Sequence, residues 1–411
     1  MTDTTLGQPL PLWRTPTAII IAGCIIAMIA FGVRASFGFF LDPMTHAHGW
    51  TRQTFALALA IQNLLWGLGA IFAGALTDRI GPSRVLAGGA VLYGLGVWGM
   101  AVSESELQFH LFAGVLTGLG IAFTGYGIVL AAIARVVGPQ RRSMALGLGM
   151  AAGSMGQVLF SPLSQGLIDG IGWFQTLLIL AAASLSILPL AFLLPNDTSG
   201  RARAEAEQTM GEALREALGH QGYLLLISGF FVCGFQIAFM TVHLPAYVKD
   251  VGLSARTGAL ALATIGAFNI IGSLLAGYVG QHWAKRYSLS LIYFGRSVAT
   301  TALLLAPKTE TTMLLFAAVI GLLWLSTVPL TSGVVAQIFG VRYMATLFSI
   351  VFFSHQIGSF IGVWLGGYIF DQTKSYNGLW LISIALGVFA GLVHLPINER
   401  PLARLAAARA A

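Results

Sequence analysis

Charge is what this sequence has least of: Asp, Glu, Lys and Arg together make up 9% of its 411 residues, where a soluble domain carries roughly 25%. With 56% hydrophobic residues and a mean hydropathy of +0.81, the chain has more apolar surface than an aqueous fold can bury, and a bilayer has to solvate it. Cysteine is scarce too. Cys24 and Cys233 are the two present, both inside apolar stretches, which excludes a disulfide framework and any thiolate metal-ligand spacing. Catalytic signatures are missing: H-E-x-x-H, G-x-S-x-G and G-x-x-x-x-G-K-[ST] do not occur, and no paired acids lie inside an apolar stretch. The chain is therefore not read as an enzyme, and no cofactor or metal is expected. The first 16 residues lack a cleavable-signal pattern, leaving the first apolar span to direct insertion.

What is present is a run of apolar segments and 50 glycines, the latter expected where helices pack closely without water to drive them together. Hydropathy places twelve spans at 17–41, 53–77, 84–103, 108–136, 143–168, 173–195, 222–248, 256–281, 287–306, 311–338, 343–370 and 376–397, each near or above the roughly 20 residues a helix needs to cross hydrocarbon. The chain also repeats itself. Gly32, Phe37, Pro43, Gly138, Gly156 and Asp169 meet Gly234, Phe239, Pro245, Gly340, Gly358 and Asp371 at a constant offset of 202 residues. Two six-helix units joined in tandem follow: an all-α membrane protein, with bundles 1–195 and 221–411, related by a pseudo-two-fold axis, around a charged linker 196–220. Parallel repeats of this kind hold a substrate site between the halves near the bilayer midplane. If the N-terminus is cytoplasmic, fifteen Lys and Arg fall inside and five outside (Arg52, Lys249, Arg256, Lys308 and Lys374). That bias puts both termini in the cytoplasm and accounts for the net charge of +7 without nucleic-acid binding.

The loop after the second span reads Gly74-Ala75-Leu76-Thr77-Asp78-Arg79-Ile80-Gly81-Pro82-Ser83-Arg84. It resembles the signature loop of the major facilitator superfamily, G-x-L-[AST]-D-R-x-G-x-[RK]. The resemblance implies that Asp78 and Arg79, with Arg84 or Arg142 as partners, latch the cytoplasmic side; a loop that only sets topology is the alternative. In the second half Gln281 replaces the acid. A narrower likeness starts at Gly138-Pro139-Gln140-Arg141-Arg142 and runs through Ala152-Gly153-Ser154-Met155-Gly156; it is similar to the opening of the fifth helix in the monocarboxylate-transporter branch. The G-x-x-x-G-P motif of drug/proton antiporters is absent from this span.

Arg34 lies midway along the first span. An intramembrane cation is costly unless it faces a water-filled cavity or an anion, so a bound carboxylate held by the guanidinium is the first reading; bonding to helix carbonyls and gating are the others. The resemblance supports the first, because that branch also carries a basic residue here. Where the branch has an acid and an arginine in the eighth span, this chain has Asn269 and Ser273. Arg296, mid-span in the ninth helix, is either a second anion site or a structural arginine. Further polar groups expected near the site are Gln62, Asn63, Tyr126, Gln157, Gln236, His243, Trp324, His355, Gln356 and Ser359. His243 and His355 are the candidates for proton coupling.

These features imply a secondary active or facilitative transporter of small organic anions, working by alternating access in the inner (plasma) membrane, and acting as a monomer. Protons are a second candidate cargo. The competing readings are an exporter of hydrophobic or drug-like compounds and a non-transporting receptor on the same fold.

Overall fold

The computed structural model describes residues 15–136, 139–194, 209–340 and 343–402. Among them every regular element is helical. We number the spanning helices α1 (Pro16–His48), α2 (Arg52–Ile80), α3 (Pro82–Val102), α4 (Glu106–Leu130), α5 (Pro139–Ile171), α6 (Trp173–Ala191), α7 (Gln221–Asp250), α8 (Ala255–His282), α9 (Lys285–Leu305), α10 (Glu310–Phe339), α11 (Met344–Thr373) and α12 (Asn377–His394). Eleven have the length and composition to cross a membrane, and α5, with 33 residues, stands where the fifth span is expected. In the linker, Thr209 and Glu212 cap a short helix, Met210–Leu218, reciprocally.

Helix starts follow local chemistry. The hydroxyls of Thr15, Thr51, Ser254 and Thr309 each accept the N–H three residues on, satisfying donors that the first turn leaves orphaned. Pro16 and Pro82 occupy first-turn positions, where a missing N–H costs nothing. Gly81 joins α2 to α3 at φ 87°, a conformation closed to most side chains.

The sequence repeat has a packing cause. At the α1–α5 crossing, a Cβ on Gly156 would collide with the Met28 carbonyl; at the α7–α11 crossing, one on Gly358 would collide with the Phe231 carbonyl. Gly32 and Gly234 face the same two crossings from the other side, toward Gly156 and His355. Each glycine lets two backbones approach as no larger residue allows, which is how helices associate where water does not drive them. Two apolar cores result: one dominated by residues 19–194 and one by residues 217–397.

Two ends of the bundle can be told apart. The proximal end carries the described chain ends near Pro16 and Leu402, and the distal end carries the α1–α2, α7–α8 and α11–α12 turns. The halves meet along two long seams, α2 against α11, where Gly67 faces Gln356 and Gly367 faces Ala56, and α5 against α8, where Gly266 faces Ser154, and again where Gly38 of α1 faces the Thr241 carbonyl of α7.

Candidate functional site

Arg34 stands where α1 passes the α2–α11 seam. Its Nη2 donates to Asn63 Oδ1 at 3.0 Å, and its guanidinium lies 4.6 Å from the centroid of Trp66. Asn63 is itself fixed, its Nδ2 donating to the Leu59 carbonyl one turn back on α2 at 2.8 Å. Arg34 is half-buried. The second half supplies the facing wall: Phe352 meets Trp66 edge-on at 5.4 Å and stacks on His355 at 5.7 Å. His355 Nδ1 lies 3.0 Å from Gln356 Oε1, and Ser359 Oγ lies 3.2 Å from the Gly234 carbonyl.

On the other seam, Gln157 Nε2 donates to the Leu262 carbonyl at 2.9 Å. Asn269 Nδ2 donates to Ser154 Oγ at 2.9 Å while its Oδ1 accepts from Leu325 N at 2.9 Å and Ser273 Oγ at 3.3 Å. Asn269 therefore ties α5, α8 and α10 together. These amides cross between the halves.

Five expected residues stand apart from Arg34. Arg296 is 1% exposed and is not at the seam. It donates to the Leu323 carbonyl at 2.6 Å and the Trp324 carbonyl at 2.5 Å, and its Nη1 reaches Gln236 Oε1 at 3.3 Å. Between Leu323 and Thr327 the helical ladder of α10 breaks, and Arg296 satisfies the carbonyls that the break frees. Of the two readings the sequence left open, the geometry matches the structural one. Trp324 takes part through its main chain and is 4% exposed, while Gln236 Nε2 donates to the Ser383 carbonyl at 2.9 Å. His243 is sealed, with Nε2 donating to the Val363 carbonyl at 2.8 Å and Nδ1 accepting from Tyr376 Oη at 3.0 Å. Gln62 is helix glue within the first half, bound to the Ala113 carbonyl. The side chains of Asp78, Tyr126 and Arg142 lie outside the described residues; Arg79 and Arg84 are exposed.

Sequence reasoning missed a cluster at the distal end. Arg52, at the start of α2, grips Asp250 of α7 with Nη1 at 2.5 Å and Nη2 at 2.8 Å, and Asp42 of α1 at 2.9 Å. Lys249 pairs with Asp42 at 2.9 Å. The Asp371 carboxylate of α11 accepts the main-chain N–H groups of Arg52 at 3.2 Å and Gln53 at 2.7 Å, capping α2 from the opposite half. Phe370 lies 3.7 Å from the Arg52 guanidinium and Tyr376 Oη accepts from it at 3.1 Å. The distal end is thus clamped shut by charges that would regain water if the halves parted. Asp371 and its repeat mate Asp169 were the one available signal. Asp169 lines a 270 Å3 cavity beside Asp42, Lys249 and Ala255. A larger cavity of 560 Å3 lies at the proximal end around Gln281, Lys285, Arg286 and Glu399, away from Arg34. Among the described residues no group of three or more His, Cys, Asp or Glu could hold a metal ion.

A family model described as Major Facilitator Superfamily matches residues 23–363 and 269–411. The chain is 28% identical over 374 residues to a Bacillus subtilis (strain 168) protein called Uncharacterized MFS-type transporter YcxA, covering 87% of this chain and 88% of that one. It is 25% identical to Monocarboxylate transporter 13 of Rattus norvegicus, over 92% of this chain and 88% of the relative, and 27% identical to Monocarboxylate transporter 11 of Mus musculus, over 93% and 87%. In structure it resembles a D-xylose-proton symporter with a TM-score of 0.74 at 14% identity, covering 95% of this chain and all of the other. A bacterial homologue of the human lysosomal transporter Spinster gives the same score and identity, over 94% and 97%. Twelve helices in two repeated bundles, the polar seam between them and a family match across most of the sequence lead to one conclusion: the chain belongs to the Major Facilitator Superfamily, resembling its monocarboxylate-transporter branch.

Proposed function

We propose that the protein carries small organic anions across the membrane, one carboxylate at a time, by rocking its two halves about the Arg34 level. The observation that carries this reading is Arg34 itself: a half-buried guanidinium in the middle of a spanning helix, oriented by Asn63 and Trp66 at the interface between the halves. A planar fork of donors matches a carboxylate bidentately, and a cation at this depth is stabilised by an anionic partner. The relatives named monocarboxylate transporters support the same cargo chemistry. By the positive-inside count the distal end faces outward, and the Arg52 cluster is then the outer clamp. Alternating access requires Arg52 to release Asp250 when the outer side opens.

The test is ligand-induced thermal stabilisation of purified protein by mono- and dicarboxylates, beside Arg34→Gln. A ligand that binds only the folded state at about 100 times its Kd stabilises by about 2.7 kcal/mol. Monocarboxylates should raise Tm in the parent and not in the variant. Equal shifts in both proteins, or shifts only with neutral or cationic compounds, would sink the anion reading.

A further inference from the structure

We infer that the anion bound at Arg34 carries an aromatic ring, so that the substrate class is an aryl or arylalkyl monocarboxylate and not a short hydroxy acid. This rests on the anion reading above and narrows it.

The ring content of the seam is the first ground. Trp66 touches the guanidinium plane, Phe31 meets Trp66 edge-on at 6.0 Å and 78°, and Phe352 meets it from the opposite half at 5.4 Å and 76°. Phe352 in turn lies parallel to His355, with 11° between the planes. Phe31, Trp66 and Phe352 are only half-buried, so this aromatic wall is not closed in the core. A carboxylate seated on Arg34 sets the rest of its molecule against these rings. Aromatic pairs prefer edge-to-face or offset stacking because ring edges are positive and faces negative, and these rings present both.

The second ground is the limited charge and one orphaned donor. A dicarboxylate needs a second cation, and Arg296, the fully buried arginine among the described residues, is held by the Leu323 and Trp324 carbonyls. What the seam adds is neutral. Gln356 is fully buried on α11, packed against Gly67 of α2. Its Oε1 faces His355 Nδ1, and its Nε2 has no hydrogen-bond partner. A buried donor without a partner is rare. Here it lies where the halves separate, so that rocking would expose it to a bound carboxylate oxygen. One guanidinium, one amide donor and three rings suit a single carboxylate on a flat apolar body.

The experiment measures binding by thermal stabilisation of the detergent-purified full chain with phenylacetate, cyclohexylacetate, lactate and phenylacetamide. Phenylacetate should bind roughly 3- to 10-fold tighter than cyclohexylacetate, the range that one aromatic pair contributes beyond buried area, and lactate should be weaker than both. Trp66→Leu should erase the preference for the arene while both acids still bind; Phe352→Leu, on the other half, makes the same test if that variant does not fold. Cyclohexylacetate or lactate binding as tightly as phenylacetate overturns the aromatic class but leaves the anion site standing, provided Arg34→Gln still abolishes binding of the acids. Phenylacetamide binding as well as phenylacetate, or no acid binding at all, overturns both readings together.

Discussion

Replacing Arg52 with Met should release the distal clamp. Arg52 holds Asp250 of the opposite half with two hydrogen bonds at 2.5 and 2.8 Å, in a pair whose side chains are 13% and 30% exposed. Tyr376 and Phe370 add contacts across the same interface. The bond to Asp42 lies within the first half and survives opening, so it does not enter the difference. A hydrogen bond to a charged group contributes about 1.5–3 kcal/mol, and partial exposure draws the value toward the lower part of that range. Both charges hydrate when the halves part, while the main-chain bonds to Asp371 remain in the variant. A loss of about 2 kcal/mol follows, or about 30-fold in the closed-to-open equilibrium at 1.36 kcal/mol per decade. The readout is maleimide labelling of Ala246→Cys, a position 2% exposed on α7, with Cys24 replaced by Ser. Labelling from the distal side should accelerate about 30-fold when Arg52→Met is added. An unchanged or slower rate would refute the assignment of Arg52 as the clamp.

Two further outcomes concern stability. Arg296→Met leaves the freed carbonyls of α10 without donors, at about 1–3 kcal/mol for each buried group; the variant should unfold at markedly lower temperature, while the fraction that folds still binds the carboxylates that Arg34 selects. A variant as stable as the parent would contradict the capping role. Gly234→Ala drives a Cβ into the His355 carbonyl oxygen, whereas Gly32→Ala meets the Phe160 ring and comes no nearer than 2.9 Å to main chain, at the Gly156 carbonyl. Overpacking typically costs about 1–3 kcal/mol, so Gly234→Ala should give the lower monodisperse yield in size-exclusion chromatography. The reverse order would refute this account of the repeat.

What the sequence settled by itself was whatever acts locally or repeats. Low charge and twelve apolar runs dictate spanning helices, because backbone polar groups in hydrocarbon must be satisfied within each segment. The offset of 202 dictates two bundles, because paired glycines are needed wherever two backbones cross closely. Arg34 stood out because a cation in a bilayer is expensive wherever its neighbours are. Tertiary structure decided the rest. Arg296 looked like Arg34 in the sequence, and only the break in α10, packed beside α9, gave it carbonyls to hold. His243 looked as exposed to substrate as His355, yet Val363 and Tyr376 enclose it. Arg52, Asp42, Asp250 and Asp371 lie far apart in the chain; they form one clamp because the folding of two bundles brings four helix ends to a single point. Such a cluster has no period and no spacing, so its existence is a property of the assembled halves and not of any segment.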